Sequence, residues 1–532
     1  MAVKNQVRSL QHIVVTADQM RQIEERVFTA GMPVPALMEK VAGRITQHIE
    51  ASFLGRSGLR VGVLVGPGHN GGDALVVARE LHFKGCQVVI YQPIAKLKEL
   101  TGRHAQYCSS LGIPTVQQIA VLQECDLLID GLFGFGLERS LSDDIANAVD
   151  QINQWHKPVV SIDLPSGLHT DTGQALGTAI QATHTLCLGL WKQGLLQDQA
   201  LAYVGQAELV DFDLPLADIH AVLGDNPPVQ RITSENAIAH LPLPRSLTAH
   251  KYTAGHLLLI CGSRRYAGAA ILSGLGARAS GVGMLSIAVP ASLQPVLMAQ
   301  LPEALVIGCP ETESGAILYL PDEVQLDKYS AIACGPGLTM EAKPAVRSAL
   351  GSNRPVVLDA DGLNMLADWG TEPKGDKGRF LETRTAPTIL TPHPGEFKRL
   401  FPRLAEDLQC RVTAVREAAA QTGAIVLLKG ARVAISDSHT VWINPASTPA
   451  LARGGSGDVL TGLIGGLLAQ EIAQQKIESP IPNPQSPIPE LVQAATWWHS
   501  QAGILAAQER TELGVDAHTL TQYLIPALRT HL

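Results

Sequence analysis

Apolar positions along this chain fall into two alternating kinds of run. Short continuous runs such as Leu59-Arg60-Val61-Gly62-Val63-Leu64-Val65 predict strands buried on both faces, as parallel strands are. Between them apolar residues recur at helical spacing: Leu75, Ala78 and Leu81 after that first strand, and Val459, Leu460, Leu463, Ile464, Leu467 and Leu468 late in the chain. Residues 1–55 read as helix, interrupted at Gly31-Met32-Pro33-Val34-Pro35. Further strands are expected at 88–91, 126–130 and 158–163, then at 255–261, 284–289, 331–334, 356–359, 388–390 and 425–428, with an Ala- and Gly-rich helix at 268–280. Strands alternating with helical patterns predict an α/β protein with a doubly wound parallel sheet in each half.

The stretch 213–250 breaks this rhythm. Its prolines and weak periodicity read as a linker with a short helix at 234–240, and place a boundary near 225, giving domains 1–225 and 226–532. Residues 476–490 (KIESPIPNPQSPIPE) hold five prolines and read as an exposed, extended insertion. Two domains also suit 532 residues, 46% of them hydrophobic and 17% charged. A net charge of −8 speaks against a nucleic-acid partner. No apolar run has membrane-spanning length, and the N-terminus lacks a signal-peptide core. Eight cysteines without a CxxC pair or a Cys/His cluster fit a reducing cytoplasm and no structural zinc.

Chemistry concentrates where strands end. The first strand runs into Gly66-Pro67-Gly68-His69-Asn70-Gly71-Gly72-Asp73, a GxGxxG match lacking the acid expected about twenty residues on. An ordinary nicotinamide-dinucleotide fingerprint is therefore set aside. Asn70, Asp130, Asp163 and Ser166 all follow strands, and in an open α/β sheet such positions converge on one crevice. In the second half, Gly454-Gly455-Ser456-Gly457 opens a helix whose first amides suit a phosphate. Asp458 on its first turn reads as a catalytic base, with a simple N-cap as the alternative.

Several motifs in fixed order then carry a resemblance. GPGHNGGDA at 66–74, DGLFGFGL at 130–137 and DLPSG at 163–167 resemble the NAD(P)H-hydrate epimerase domain. ACGPGL at 333–338, TPHPGEF at 391–397, LLKGA at 427–431 and GGSGDVLTG at 454–462 resemble the NAD(P)H-hydrate dehydratase domain, whose fold is ribokinase-like. Together they resemble the bacterial bifunctional NAD(P)H-hydrate repair family. The resemblance implies epimerisation of R and S hydrates of NADH or NADPH by a Rossmann-like first domain. It implies dehydration of the S form by the second, with ADP, or ATP, as co-substrate and Mg2+ carried by the nucleotide.

By the same resemblance Asp163 and Asp458 are catalytic. His69, Asn70, Gly71, Gly72 and Asp73 would contact the hydrate in the first domain, with Gly134, Phe135, Gly136, Leu137, Glu138, Arg139, Ser140 and Asp163. Asn70, Asp130 and Ser166 would hold K+. In the second domain Ala269, Ala270, Gly337, His393 and Asp458 would contact the hydrate. Lys429, Gly430, Ala431, Arg432 and Val433, with Gly454, Gly455, Ser456 and Gly457, would contact ADP. A homo-oligomer is expected. Two departures stand out: His69 where the family has Asn, and Phe135 within the family's GTG.

Overall fold

The computed structural model describes residues 10–53, 58–369, 381, 384–408, 410–478 and 487–532. The chain divides into two compact units, Met1–Gln230 and Arg231–Leu532.

In the first unit a seven-stranded sheet, parallel throughout, runs Thr115–Val116, Gln87–Tyr91, Arg60–Val65, Leu127–Gly131, Val159–Ile162, His184–Leu188, Gln206–Val210. The two-residue period of a strand sorts its side chains between two cores. Val61, Val63 and Val65 join Met20, Ile23, Ile45 and Leu75 from the helices Ala17–Thr29, Val34–Phe53 and His69–Phe83. Leu64 and Leu128 face the other way, toward Ile145, Val149 and Ile152 of the helix Asp143–Trp155. The chain leaves Arg60–Val65 on one side and returns on the other at Leu127–Gly131. That reversal opens a crevice at the strands' carboxyl ends. Gly66 sits in it: its N–H donates to Gly131 O at 3.2 Å, and a Cβ there would come 1.6 Å from Leu132 O.

The second unit holds nine neighbouring strands of one sheet in the order Val441–Ile443, Ala434–Ser436, Ile425–Leu428, Thr388–Leu390, Val356–Leu358, Ala331–Cys334, His256–Ile260, Met284–Pro290, Leu305–Cys309. The seven strands from Ile425–Leu428 to Leu305–Cys309 are parallel, but Ile425–Leu428, Ala434–Ser436 and Val441–Ile443 form an antiparallel meander. The parallel sheet thus carries an antiparallel edge, whose strands Ala434–Ser436 and Val441–Ile443 lie in stretches the sequence reading leaves unassigned. The hairpin is closed by Asp437, whose Oδ1 accepts the His439 and Thr440 amides, a local Asx turn.

Helices Ala267–Ser280 and Ser456–Glu478 press together through glycines. A Cβ on Gly462 would lie 1.9 Å from Ser273 O, and one on Gly276 2.1 Å from Val459 O. This close approach fixes where the Ser456 helix begins.

Two expectations need correction. The stretch 213–250 is more ordered than a linker: besides the expected helix, at Ser234–Ala239, it holds the helix Leu216–Leu223 after Pro215 and the strand Val229–Arg231 after Pro227 and Pro228. The presumed extended insertion is helical at both ends, since Ser456–Glu478 and Ile488–Arg510 run into it. Residues 479–486 lie outside the described residues.

Two candidate active sites

Within the first unit, a cavity of about 770 Å³ opens over the crevice, lined in part by Asn70, Asp73, Gly134, Phe135, Asp163 and Lys192. Asp163 follows the strand Val159–Ile162 in a left-handed conformation, φ 69°, which a non-glycine residue adopts only under constraint. The constraint is visible. Its Oδ1 pairs with Lys192 Nζ at 2.6 Å, and its Oδ2 accepts the Phe135 amide at 2.9 Å. Both side chains are buried. Burial by itself would lower the Lys192 ammonium, yet the Asp163 charge outweighs it and holds the lysine above its usual value. The site thus contains a matched, desolvated ion pair, costly to break from either end.

Asp130, fully buried at the end of Leu127–Gly131, accepts four donors: Ser161 Oγ and the Ser166 amide on Oδ2, Ser166 Oγ and the Leu132 amide on Oδ1. Burial raises its carboxyl despite those bonds, Ser166 opposing most. Asn70 reaches toward Asp163, because a Cβ on Gly134 would stand 3.2 Å from Asn70 Oδ1 and 3.1 Å from Asp163 Oδ2. A side chain at Gly134 would fill the space between the Asn70 amide and the Asp163 carboxylate.

The structure brings His69, Asn70, Asp73, Gly134, Phe135, Gly136, Leu137 and Asp163 to this cavity. Gly71 and Gly72 stand behind it, against Gly66 and Met38. Glu138, Arg139 and Ser140 are exposed and outside its lining.

In the second unit five neighbouring parallel strands end at one place. After Val356–Leu358 comes Asp359, whose Oδ1 accepts Lys429 Nζ at 2.7 Å and whose Oδ2 accepts Thr461 Oγ1 at 2.6 Å. Lys429 follows Ile425–Leu428 and also faces Glu396 Oε2 at 4.0 Å. A Cβ on Gly457 would sit 3.3 Å from Lys429 Nζ, so the ammonium lies directly beneath the glycine loop. Asp458 stands beside it on the first turn of Ser456–Glu478. Burial pushes its carboxyl up to about 7, the Asp359 charge adds to this, and Lys429 opposes. A carboxyl so poised exchanges protons near neutrality.

The loop itself is held from behind. His499, buried on Ile488–Arg510, has Nε2 3.0 Å from Ser456 O and 3.3 Å from its Oγ; burial pushes the imidazole down to about 4. It is therefore neutral and can donate to Ser456 O. Gly455, at φ 92°, packs against Leu272.

Gly337 faces Ala269, since its Cβ would come 2.8 Å from Ala269 Cβ, whereas Ala270 is fully buried in the core. His393 caps the helix Pro394–Leu400: its Nδ1 accepts the Gly395 amide while Glu396 accepts the His393 amide. Gly430 and Ala431 are exposed, Arg432 half-buried, and Val433 buried at the start of Ala434–Ser436.

Sequence reasoning missed Lys192, Asp359, Thr461, Glu396 as a site residue, and His499. Lys192 carried a signal, being the sole charge in the apolar stretch Leu186-Cys187-Leu188-Gly189-Leu190-Trp191-Lys192. Asp359 ends a strand, the rule that found Asp130 and Asp163. His499 is recognisable only from packing.

Comparison with known proteins matches two stretches of the chain to two family models. One, described as YjeF-related protein N-terminus, covers residues 34–194; the other, NAD(P)H-hydrate dehydratase, covers residues 257–526. The bifunctional NAD(P)H-hydrate repair enzyme Nnr of Synechocystis sp. is 53% identical over 98% of this chain and 95% of its own. That of Thermosynechococcus vestitus is 50% identical over 98% of each. An ADP/ATP-dependent NAD(P)H-hydrate dehydratase from Bacillus subtilis, co-crystallized with ATP/Mg2+, is 33% identical over 56% of this chain and 98% of its own, with a TM-score of 0.45. The chain belongs to the family of bifunctional NAD(P)H-hydrate repair enzymes, which join an epimerase to a dehydratase.

Proposed function

We propose that Asp163 and Asp458 are the proton-handling groups of the two reactions, and that each works beside a lysine that sequence motifs alone did not assign to it. One observation carries this reading: Asp163 pairs with Lys192 beside Gly134 in the first unit, and in the second Asp458 follows the glycine loop under which Lys429 pairs with Asp359.

In the first unit the hydrated nicotinamide ring would enter the cavity with its C6 hydroxyl toward Asp163. Lys192 pairs with that carboxylate at 2.6 Å and orients it, placing it to take the hydroxyl proton and later return it. Pro67, Gly68 and His69 at the start of His69–Phe83 present the helix N-terminus to the dinucleotide's phosphates, with Lys98 and Arg21 also in the lining. The departure at His69 leaves these amides in place. Phe135 likewise contributes its amide, not its ring, to Asp163.

Asn70, Asp130 and Ser166 would hold potassium. Their oxygens are hard donors of the kind such a cation takes. Asp130 is a buried carboxyl met by hydroxyl and amide donors alone, so a cation would neutralise a charge that burial disfavours. The ion would supply fixed positive charge beneath the loop at 131–137.

In the second unit the S hydrate and ADP, or ATP with its Mg2+, would meet over the glycine loop. Asp458 takes the C6 hydroxyl proton and the oxygen attacks the terminal phosphoryl group. The C6–O bond then breaks with phosphate leaving, and loss of the C5 proton restores the double bond. The amides at 454–457 and the ammonium of Lys429 beneath them stabilise the charge on the moving phosphoryl group. Ala269, Gly337 and His393 would line the hydrate side, and the backbone of 430–433 the nucleotide side.

Among the described residues no helix is long and apolar enough to cross a membrane. A cytoplasmic homo-oligomer acting on small molecules completes the proposal. The test supplies mixed R and S hydrates with ADP or ATP and follows recovery of reduced-nicotinamide absorbance. Complete recovery supports both activities, recovery of the S fraction alone removes the first, and none removes the second.

A further inference from the structure

The helix Ala17–Thr29 belongs to none of the recognised motifs and precedes the first residue matched by the family model of that half. It nevertheless forms a wall of the first cavity, contributing Arg21, Glu24 and Glu25 to its lining. Its inward stripe is Met20, Ile23 and Val27, all buried. Glu24 stands on that stripe, four residues after Met20 and three before Val27, where an amphipathic helix would ordinarily place an apolar residue.

The helix is anchored at its start. Thr16 and Gln19 form a reciprocal capping box, and the Ala17 amide donates to Asp171 Oδ1 at 2.7 Å. Glu24 is thus held into the cavity by packing on both sides of it. Among the described residues it forms no ion pair, unlike its helix neighbours Arg21, paired with Asp18, and Arg26, paired with Asp218.

The geometry points to Glu24 as the second proton carrier of this site, serving the ring nitrogen while Asp163 serves the C6 hydroxyl; this rests on reading the site as the epimerase. Inversion at C6 by ring opening needs both ends handled. The hydroxyl gives its proton to Asp163, the oxygen lone pair forms a carbonyl, and the C6–N1 bond breaks with its electrons on N1, which takes a proton from Glu24. Rotation about C5–C6 turns the other aldehyde face to N1. Attack by N1 returns its proton to Glu24, and the oxygen recovers its own from Asp163. Nothing is oxidised or reduced, and both carboxyls end as they began.

The groups facing Glu24 suit this division. Lys192 pairs with Asp163 and not with Glu24. Asp73, from His69–Phe83, is raised well above the ordinary value by burial and by Asp163 and Glu24. Glu24 itself is pushed up to about 7 by burial, with Lys192 opposing, Asp163 adding and Arg21 opposing. It can therefore both give and retake a proton near neutrality.

The test measures R-to-S interconversion by the full chain carrying Glu24→Gln, with kcat and KM resolved across pH. The expected result is a kcat lower by roughly 100-fold, KM within about threefold, and loss of the wild-type fall in rate above about pH 7. Dehydratase activity of the same preparation checks folding. Should that also be lost, Glu24→Asp decides, with partial rate and the alkaline fall retained. A Glu24→Gln enzyme with wild-type kcat and pH profile, or one changed in KM alone, overturns the role of Glu24. A wild-type chain that leaves the hydrates unconverted overturns the epimerase reading itself.

Discussion

Lys429→Met is the perturbation that most sharply separates electrostatic tuning from simple nucleotide contact in the second site. Removing the ammonium leaves Asp359 buried without its 2.7 Å partner and Glu396 without the charge 4.0 Å away. Losing one side of a buried pair costs about 3–5 kcal/mol, less whatever Asp359 recovers by protonating while it keeps Thr461. For activity the sign is definite. Burial and Asp359 raise Asp458 to about 7, and Lys429 is what holds it down. Without Lys429 the carboxyl rises further. A base must be ionised, so the acidic limb of kcat/KM for dehydration should move to higher pH by about 1 unit or more. Asp359→Asn removes a charge that raises Asp458 and should move the limb the other way. The assay is recovery of reduced-nicotinamide absorbance from S hydrate at saturating nucleotide, from acid to mildly alkaline pH. If both variants shift the limb in the same direction, or if Lys429→Met only raises the nucleotide KM with the limb unmoved, the tuning account is wrong.

Three further outcomes follow. Lys192→Met should abolish R-to-S interconversion by at least ~10²-fold while dehydration of S hydrate stays within about twofold; equal loss of both would mean a folding defect. Asp458→Asn should remove a destabilising group. Because the folded carboxyl is raised to about 7 from 3.8, its favourable contribution is complete below 3.8 and lost as pH rises through about 7, so the variant should outlast wild type in denaturant at pH 8 by on the order of 2 kcal/mol and match it at pH 3. Gly66→Ala should unfold or empty the first site at a cost of at least ~3 kcal/mol, because its Cβ would meet Leu132 O at 1.6 Å; near-native epimerase activity in this variant would contradict the close-packed crevice.

Long apolar runs made most of the architecture readable in advance. Leu59 to Val65 and Ala331 to Cys334 declared themselves as parallel strands, and polar residues after them marked where ligands gather. What stayed hidden was short or non-local. The strands Ala434–Ser436 and Val441–Ile443 follow one another without an intervening helix, so the alternation that marked the other strands was missing, and they are antiparallel. Asp163 and Asp458 were visible beside their glycine loops, but Lys192 and Asp359 acquire meaning only when the sheet brings each to its partner. Glu24 lay in plain view as an acid on an apolar helical stripe, a signal that periodicity analysis discards as noise. Ala269 and Ala270 were indistinguishable in sequence; the helix turns only the former toward Gly337.

The most direct test of two separate sites on one chain supplies pure R hydrate with excess nucleotide to wild type, Asp163→Asn, Asp458→Asn and an equimolar mixture of the two variants. Wild type should restore all the reduced nicotinamide, and Asp163→Asn only as fast as R hydrate epimerises uncatalysed. Asp458→Asn should yield S hydrate and no product, and the mixture should recover the complete reaction. Full repair of R hydrate by Asp163→Asn alone, or a mixture no better than that variant, would contradict the account.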